Sequence, residues 1–223
     1  MGSVIGEFLP VAVAVAVSPV PVIAVILMLF TPEARTNSIA FLLGWLLGLT
    51  VVGSIVLIAG DVASDDSGES TVSGVVKLVF GLLFLVLAVR SWRSRPKAGE
   101  DPEMPGWMAA IDGFGAVKSA GIAALLSGLN PKNLAITAAG AATIAAAGLT
   151  TGEEIGAFAI FVTIASITVA APVLVYLIMG DRVQGGLNSL KEWLLANNNT
   201  VMAVLLVVLG AKLLGDGISI LSN

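Results

Sequence analysis

Apolar residues gather along the chain in six long runs, at roughly 7–30, 37–59, 72–91, 115–148, 154–178 and 200–220, separated by polar connections. Within the runs the hydrophobic positions are continuous rather than alternating, which argues against barrel strands. A segment in lipid must satisfy its own backbone hydrogen bonds, and a hydrocarbon core takes roughly 20 apolar residues per helical crossing. The pattern therefore predicts an all-α membrane protein of six transmembrane helices.

The first and fourth runs each contain a polar, proline-bearing interruption, Ser18-Pro19-Val20-Pro21 and Asn130-Pro131-Lys132-Asn133. Proline removes a backbone donor and clashes with the preceding turn, so each interruption breaks its helix and frees carbonyls that lipid cannot satisfy. Superposing the two breaks brings the following runs into step. The expected organisation is thus residues 1–95 as a first three-helix repeat, 96–114 as a cytoplasmic linker and 115–223 as a second three-helix repeat. An odd number of crossings per repeat makes the two inverted.

Composition strengthens the membrane reading. Hydrophobic residues make up 57% of the 223 positions and charged residues 12%, against about 25% charged in soluble domains, and the mean hydropathy is +1.00. Cysteine and histidine are both absent, which excludes thiolate or imidazole metal sites and nucleophiles of either type. No cofactor or metal is implied.

The net charge of −4 says less than its distribution. Asp61, Asp65, Asp66 and Glu69 lie between the second and third runs, whereas Arg90, Arg93, Arg95 and Lys97 follow the third. Basic connections face the cytoplasm. This orientation puts Arg35 and the stretch from Arg182 to Lys191 inside, Glu153 and Glu154 outside, and both termini outside a multi-pass cytoplasmic (inner) membrane protein. The first run lacks a basic leader and a convincing cleavage site and is read as a retained helix. The connection at about 92–114 is Pro-rich and charged before Trp107, which predicts a flexible segment leading to an interfacial turn.

Candidate binding residues cluster at the breaks: Lys132, Asn130, Asn133, Pro131, Ser18, Pro19 and Pro21. A cation deep in a span costs about 2.5–3.5 kcal/mol on insertion scales, so Lys132 is expected to face the interior, where it attracts an anionic headgroup or exchanges a proton. Its alternative is a snorkelling position on a short helix after a loop. Asn130 and Asn133 are suited to capping freed backbone groups or to bonding a polar headgroup, and Ser18 to the same across the pseudo-two-fold axis. Thr163, Ser166 and Thr168 line a path or bond within their own helix.

Structural roles suffice elsewhere. Lys212 and Asp216 have the spacing of an i, i+4 pair, and Lys77 and Arg90 that of snorkelling ends. Leu187, Leu190, Trp193 and Leu194 suggest an amphipathic segment over Gly185 to Asn198 in the interface. Gly44-Trp45-Leu46-Leu47-Gly48 and the small residues from Ala138 to Gly148 are built for close helix packing.

The text Ser18-Pro19-Val20-Pro21-Val22-Ile23-Ala24-Val25-Ile26-Leu27-Met28-Leu29, then Ala34-Arg35, Phe41-Leu42-Leu43-Gly44-Trp45-Leu46-Leu47-Gly48 and Asn130-Pro131-Lys132-Asn133-Leu134, resembles the GAP family. These are the glycopeptidolipid-addressing, Sap-like proteins of the LysE-type exporter superfamily. The resemblance covers nearly the whole chain and implies a six-helix exporter with two inverted repeats. In mycobacteria and related actinobacteria such proteins are associated with moving cell-envelope lipids to the surface. Pro19, Pro21, Pro131 and Lys132 fall on its motif positions.

The functional expectation is export or translocation of a cell-envelope (glyco)lipid, with an anionic or polar headgroup as substrate. The alternatives are a LysE-type exporter of a small hydrophilic solute such as an amino acid, or a non-transporting accessory of a larger lipid exporter. An intramembrane enzyme is not expected, since no nucleophile–base pair or paired acids occur within the runs. Membrane lipids are the expected partners, with a homodimer or a larger lipid-export machinery as candidate assemblies, and nucleic acid is not among them.

Overall fold

The computed structural model describes residues 1–63, 71–96 and 106–222. Asp65, Asp66, Glu69, Lys97 and the remainder of the Pro-rich linker to residue 105 lie outside the described residues, as do the side chains of Asp61 and Trp107. Every element of the described chain is helical. Nine α-helices follow one another among these residues: α1 (Gly2–Ala16), α2 (Pro19–Leu29), α3 (Ala34–Ala63), α4 (Thr71–Arg93), α5 (Gly106–Ala109), α6 (Ala116–Gly128), α7 (Pro131–Ala145), α8 (Thr151–Met179) and α9 (Gln184–Ser222).

Both interruptions expected from sequence break their helices where the proline requires it. Pro19 and Pro131 each occupy the first helical position of the following helix, the place where a missing N–H costs nothing because it would be unpaired anyway. Across the first break α1 and α2 are bent by 49°. By contrast, the amphipathic stretch after Gly185 is not a separate interfacial segment. It is the first part of the 39-residue α9 and runs without a break into the last apolar run. Asn199, the residue best suited to end a helix there, turns its amide outward to the Ser94 carbonyl instead of competing for its own backbone.

Residues Ala34–Ala59 and the stretch Thr151–Ser222 are long and apolar enough to cross a membrane, and α1 with α2 qualifies as a bent third. The outer face of α3 bears this out: Leu43, Leu47, Val51, Ile55 and Ile58 follow one helical stripe and are 48–65% exposed. An apolar stripe of that length on a soluble protein would be an aggregation surface, whereas in a bilayer it is the lipid face. This is a membrane protein.

The chain forms two compact units, Met1–Val62 with Glu103–Leu195 and Ala63–Pro102 with Ala196–Asn223. In the larger unit α1 packs along α7 and α8, while α2 packs on α6 and α8. Phe8, Phe158 and Phe161 fill its centre, Phe8 meeting Phe161 edge-on at 5.9 Å and Phe158 stacking on Phe161 at 6.1 Å. Glycines set the helix spacing. A Cβ at Gly44 would run into the Ala120 carbonyl of α6, one at Gly48 into Ser127, and one at Gly140 into the Phe161 ring. The Gly44-to-Gly48 face read from sequence is therefore a close backbone crossing of α3 and α6.

The smaller unit pairs α4 with the last part of α9. Added Cβ atoms at Gly74 and Gly217 would each strike the other helix at the level of the opposing glycine, and so would those at Gly81 and Gly210. Both pairs step by seven residues in opposite senses, so the helices run antiparallel. The same register places Ala88 opposite Ala203, both buried.

Candidate functional site

At the first break the helix ends over Val13 and Val15, whose carbonyls accept from Val17 and Ser18. The carbonyl of Ala16 has lost its partner to the proline-bearing turn, and the hydroxyl of Thr168 on α8 donates to it. Thr168 lies one turn before Pro172, which removes the donor that would normally close on the Thr168 carbonyl. Break and bridge thus come from two helices. The sequence marked Thr168 only as a hydroxyl on the fifth run; nothing in it pointed to a partner 152 positions away.

Ser18 does not act as the expected cap. It is the N-cap residue of α2 and is buried, but its side chain makes no capping bond. An N-cap oxygen reaches the N–H of the second or third helical residue; Pro21 removes the third, and that of Val20, equivalent to the Lys132 N–H used by Asn130, is left unused. Pro19 and Pro21 are themselves buried.

The second break is closed from within. Asn130 Oδ1 accepts from the Lys132 backbone N–H at 3.1 Å, so Asn130 is a true N-cap of α7. Asn133 Nδ2 donates to the Leu126 carbonyl at 2.9 Å, and the Leu125 carbonyl takes the N–H groups of both Leu129 and Asn130. The capping role expected of both asparagines is present. Lys132 sits half-buried in the first turn of α7, and Pro131 is exposed.

The rest of the Asn133 amide is unused. The residue is completely buried, and its Oδ1 has no hydrogen-bond partner among the described residues. One turn further along the same face, Thr137 is also completely buried with its hydroxyl unpartnered, and Ser166 on α8 is buried with an unpartnered hydroxyl too. Thr163 bonds back to the Ala159 carbonyl within α8 at 2.7 Å. Thr137 was missed by sequence reasoning; the signal available was its place four residues after Asn133.

A further buried polar cluster went unread. Asn37 Nδ2 donates to Thr31 Oγ1 at 3.1 Å and to the Phe114 carbonyl at 2.8 Å, and Thr31 donates to the Met28 carbonyl. It ties the end of α2 and the start of α3 to the turn before α6. These residues are 77 positions apart, beyond any local pattern.

A family model described as Sap, sulfolipid-1-addressing protein, matches residues 8–219. The chain belongs to that family. The match takes in both breaks, so the assignment suggested by the paired Pro motifs holds. No curated protein and no solved structure matches the chain. Membership of the sulfolipid-1-addressing family implies a lipid-related role in export or as an accessory to it, and association with lipid. Among the described residues no group of three or more acidic side chains is placed to hold a metal ion.

Proposed function

We propose that this Sap-family protein is a transporter that moves a cell-envelope lipid across the inner membrane, its headgroup passing beside the paired Pro breaks and its acyl chains remaining in the bilayer. The observation that carries this reading is the set of buried, unpartnered polar atoms at Asn133, Thr137 and Ser166. An unsatisfied buried polar group costs about 1–3 kcal/mol. In a membrane protein such groups are retained on a path for water or a polar substrate.

The first break has the dimensions of a midplane site. The 11 residues of α2 span roughly 16 Å at 1.5 Å per residue, about half of a 30 Å hydrocarbon core. With Arg35 at the cytoplasmic surface, Pro19 then lies near the bilayer centre. The packing supports two inverted three-helix repeats. Exchanging the repeats turns the α1–α7 contact into the α6–α2 contact, and both are present. Six crossings follow if α1–α2, α3, α4, α6–α7, α8 and the last part of α9 each count once. Both termini are then outside. Discontinuous helices at a repeat interface are the arrangement in which rocking of one half exposes a site to alternate sides.

The test is deletion of the gene in its host, with surface-extractable lipids profiled by mass spectrometry. Complementation uses wild type, Lys132→Ala and Thr137→Val, each checked for membrane abundance. Loss of one lipid class from the surface, restored by wild type and not by the variants, is expected. An unchanged profile would overturn lipid export and favour efflux of a small solute.

A further inference from the structure

At the far end of α2 from the Pro19 break, the larger unit opens a cleft of about 550 Å³ between the α2–α3 turn and the junction of α8 with α9. Its size falls in the range of small-molecule sites, about 300–1,000 Å³. The junction is shaped by Gly180, whose φ of +61° closes α8 in a region other side chains rarely adopt. That turn presents Asp181 to the cleft.

Asp181 is held in place by its neighbours. Gln184 Nε2 donates to its Oδ1 at 2.9 Å, and the Tyr176 hydroxyl lies 3.4 Å from the same oxygen. Across the cleft stand Glu33 and Arg35, whose side chains make no ion pair or hydrogen bond among the described residues. The half-buried Phe30 ring forms part of the wall and carries the Lys191 ammonium at 5.4 Å on its face.

The chemistry is mixed in a particular way. Two carboxylates and an amide oxygen accept, Arg35 and the Gln184 amide donate, and aromatic rings supply a flat apolar surface. With Arg35 and Lys191 balancing Asp181 and Glu33, the cleft has no net charge to hold a simple ion, and an acyl chain would leave all of these groups unsatisfied. A sugar ring suits the set: its adjacent hydroxyls donate to carboxylates and accept from Arg, and its C–H faces lie on aromatic rings.

We propose that this cleft docks the polyhydroxylated sugar headgroup of the transported lipid at the membrane surface before it moves to the breaks. The substrate role rests on the transporter reading above; the sugar specificity of the cleft does not.

The experiment uses the full chain in lipid nanodiscs. Binding is measured by calorimetry, with hydrogen exchange of residues 29–36 and 176–184 as a local readout. Three probes are compared: dodecyl maltoside below its micelle concentration, maltose alone, and octaethylene glycol monododecyl ether, which has the same chain and no sugar. Dodecyl maltoside is expected to bind and protect both segments. Asp181→Asn and Glu33→Gln should each weaken it at least tenfold, while Lys212→Ala leaves it unchanged.

Maltose binding as tightly as the maltoside would support the sugar site and make its ligand a free sugar. Equal binding of the sugarless ether, or indifference to both carboxamide variants in protein of unchanged helicity, would overturn the proposal. Because this readout needs no transport, failure of the lipid-profile test with intact sugar binding would remove the transporter and leave the cleft standing.

Discussion

Between α4 and the last part of α9 the backbones meet over Gly74, Gly81, Gly210 and Gly217, and the side chains around them, Leu78, Leu85 and Leu214, are apolar. In the larger unit two helices are interrupted instead, and Asn133, Thr137 and Ser166 keep polar atoms without partners. Lipid tails are as apolar as leucine, so helices in a membrane associate through close packing and hydrogen bonds rather than through expulsion of water. The smaller unit uses both, its glycine crossings being joined by bonds from Ser91 to the Asn199 carbonyl and from Asn199 to the Ser94 carbonyl. The larger one gives up regular hydrogen bonding at two points, and its unsatisfied groups add nothing to stability.

The contrast can be tested by substitution. The largest loss is expected for Gly81→Val combined with Gly210→Val, since each new side chain meets an opposing backbone carbonyl or leucine. Overpacking of this kind costs about 1–3 kcal/mol per site, read as a lower thermal midpoint in detergent. Because the chain has no cysteine, Ala88→Cys with Ala203→Cys tests the register itself. A disulfide should form in the folded protein and be absent from Ala88→Cys paired with Val204→Cys.

Thr168→Val should cost about 1–2 kcal/mol, because it strands the Ala16 carbonyl at the break. Thr137→Val should move the other way. It removes a buried hydroxyl that has no partner, so the folded protein is expected to be more stable by up to about 1 kcal/mol, while lipid export falls. A stabilised variant with full export would sink the assignment of Thr137 to the path. The smallest effect belongs to Lys212→Ala. Its bond to Asp216 is 3.0 Å long, but both side chains are about 40% exposed, and such a pair contributes about 0.3–0.5 kcal/mol.

Much of the larger unit was legible from local pattern. Pro19 and Pro131 marked the helix starts because proline's missing N–H is tolerated in the first turn, where it would be unpaired anyway. Asn130 and Asn133 were recognisable as caps for the same local reason. Ser18 makes no cap although its place before Pro19 allows one, since Pro21 removes one of its two donors and the other, at Val20, goes unused. The stretch after Gly185 was misread because amphipathic spacing carries no information on whether a helix continues past it.

Helix content, the apolar runs, the positions of both breaks and the absence of thiol or imidazole chemistry were determined by sequence alone, since each depends on residues within a few turns of one another. Pairing across the chain was decided only by the tertiary structure. Thr168 could be matched to Ala16, Asn37 to Phe114, and Gly81 to Gly210 only once the helices were packed. A small residue or a hydroxyl looks alike in every apolar run, and what distinguishes one from another is which backbone lies opposite.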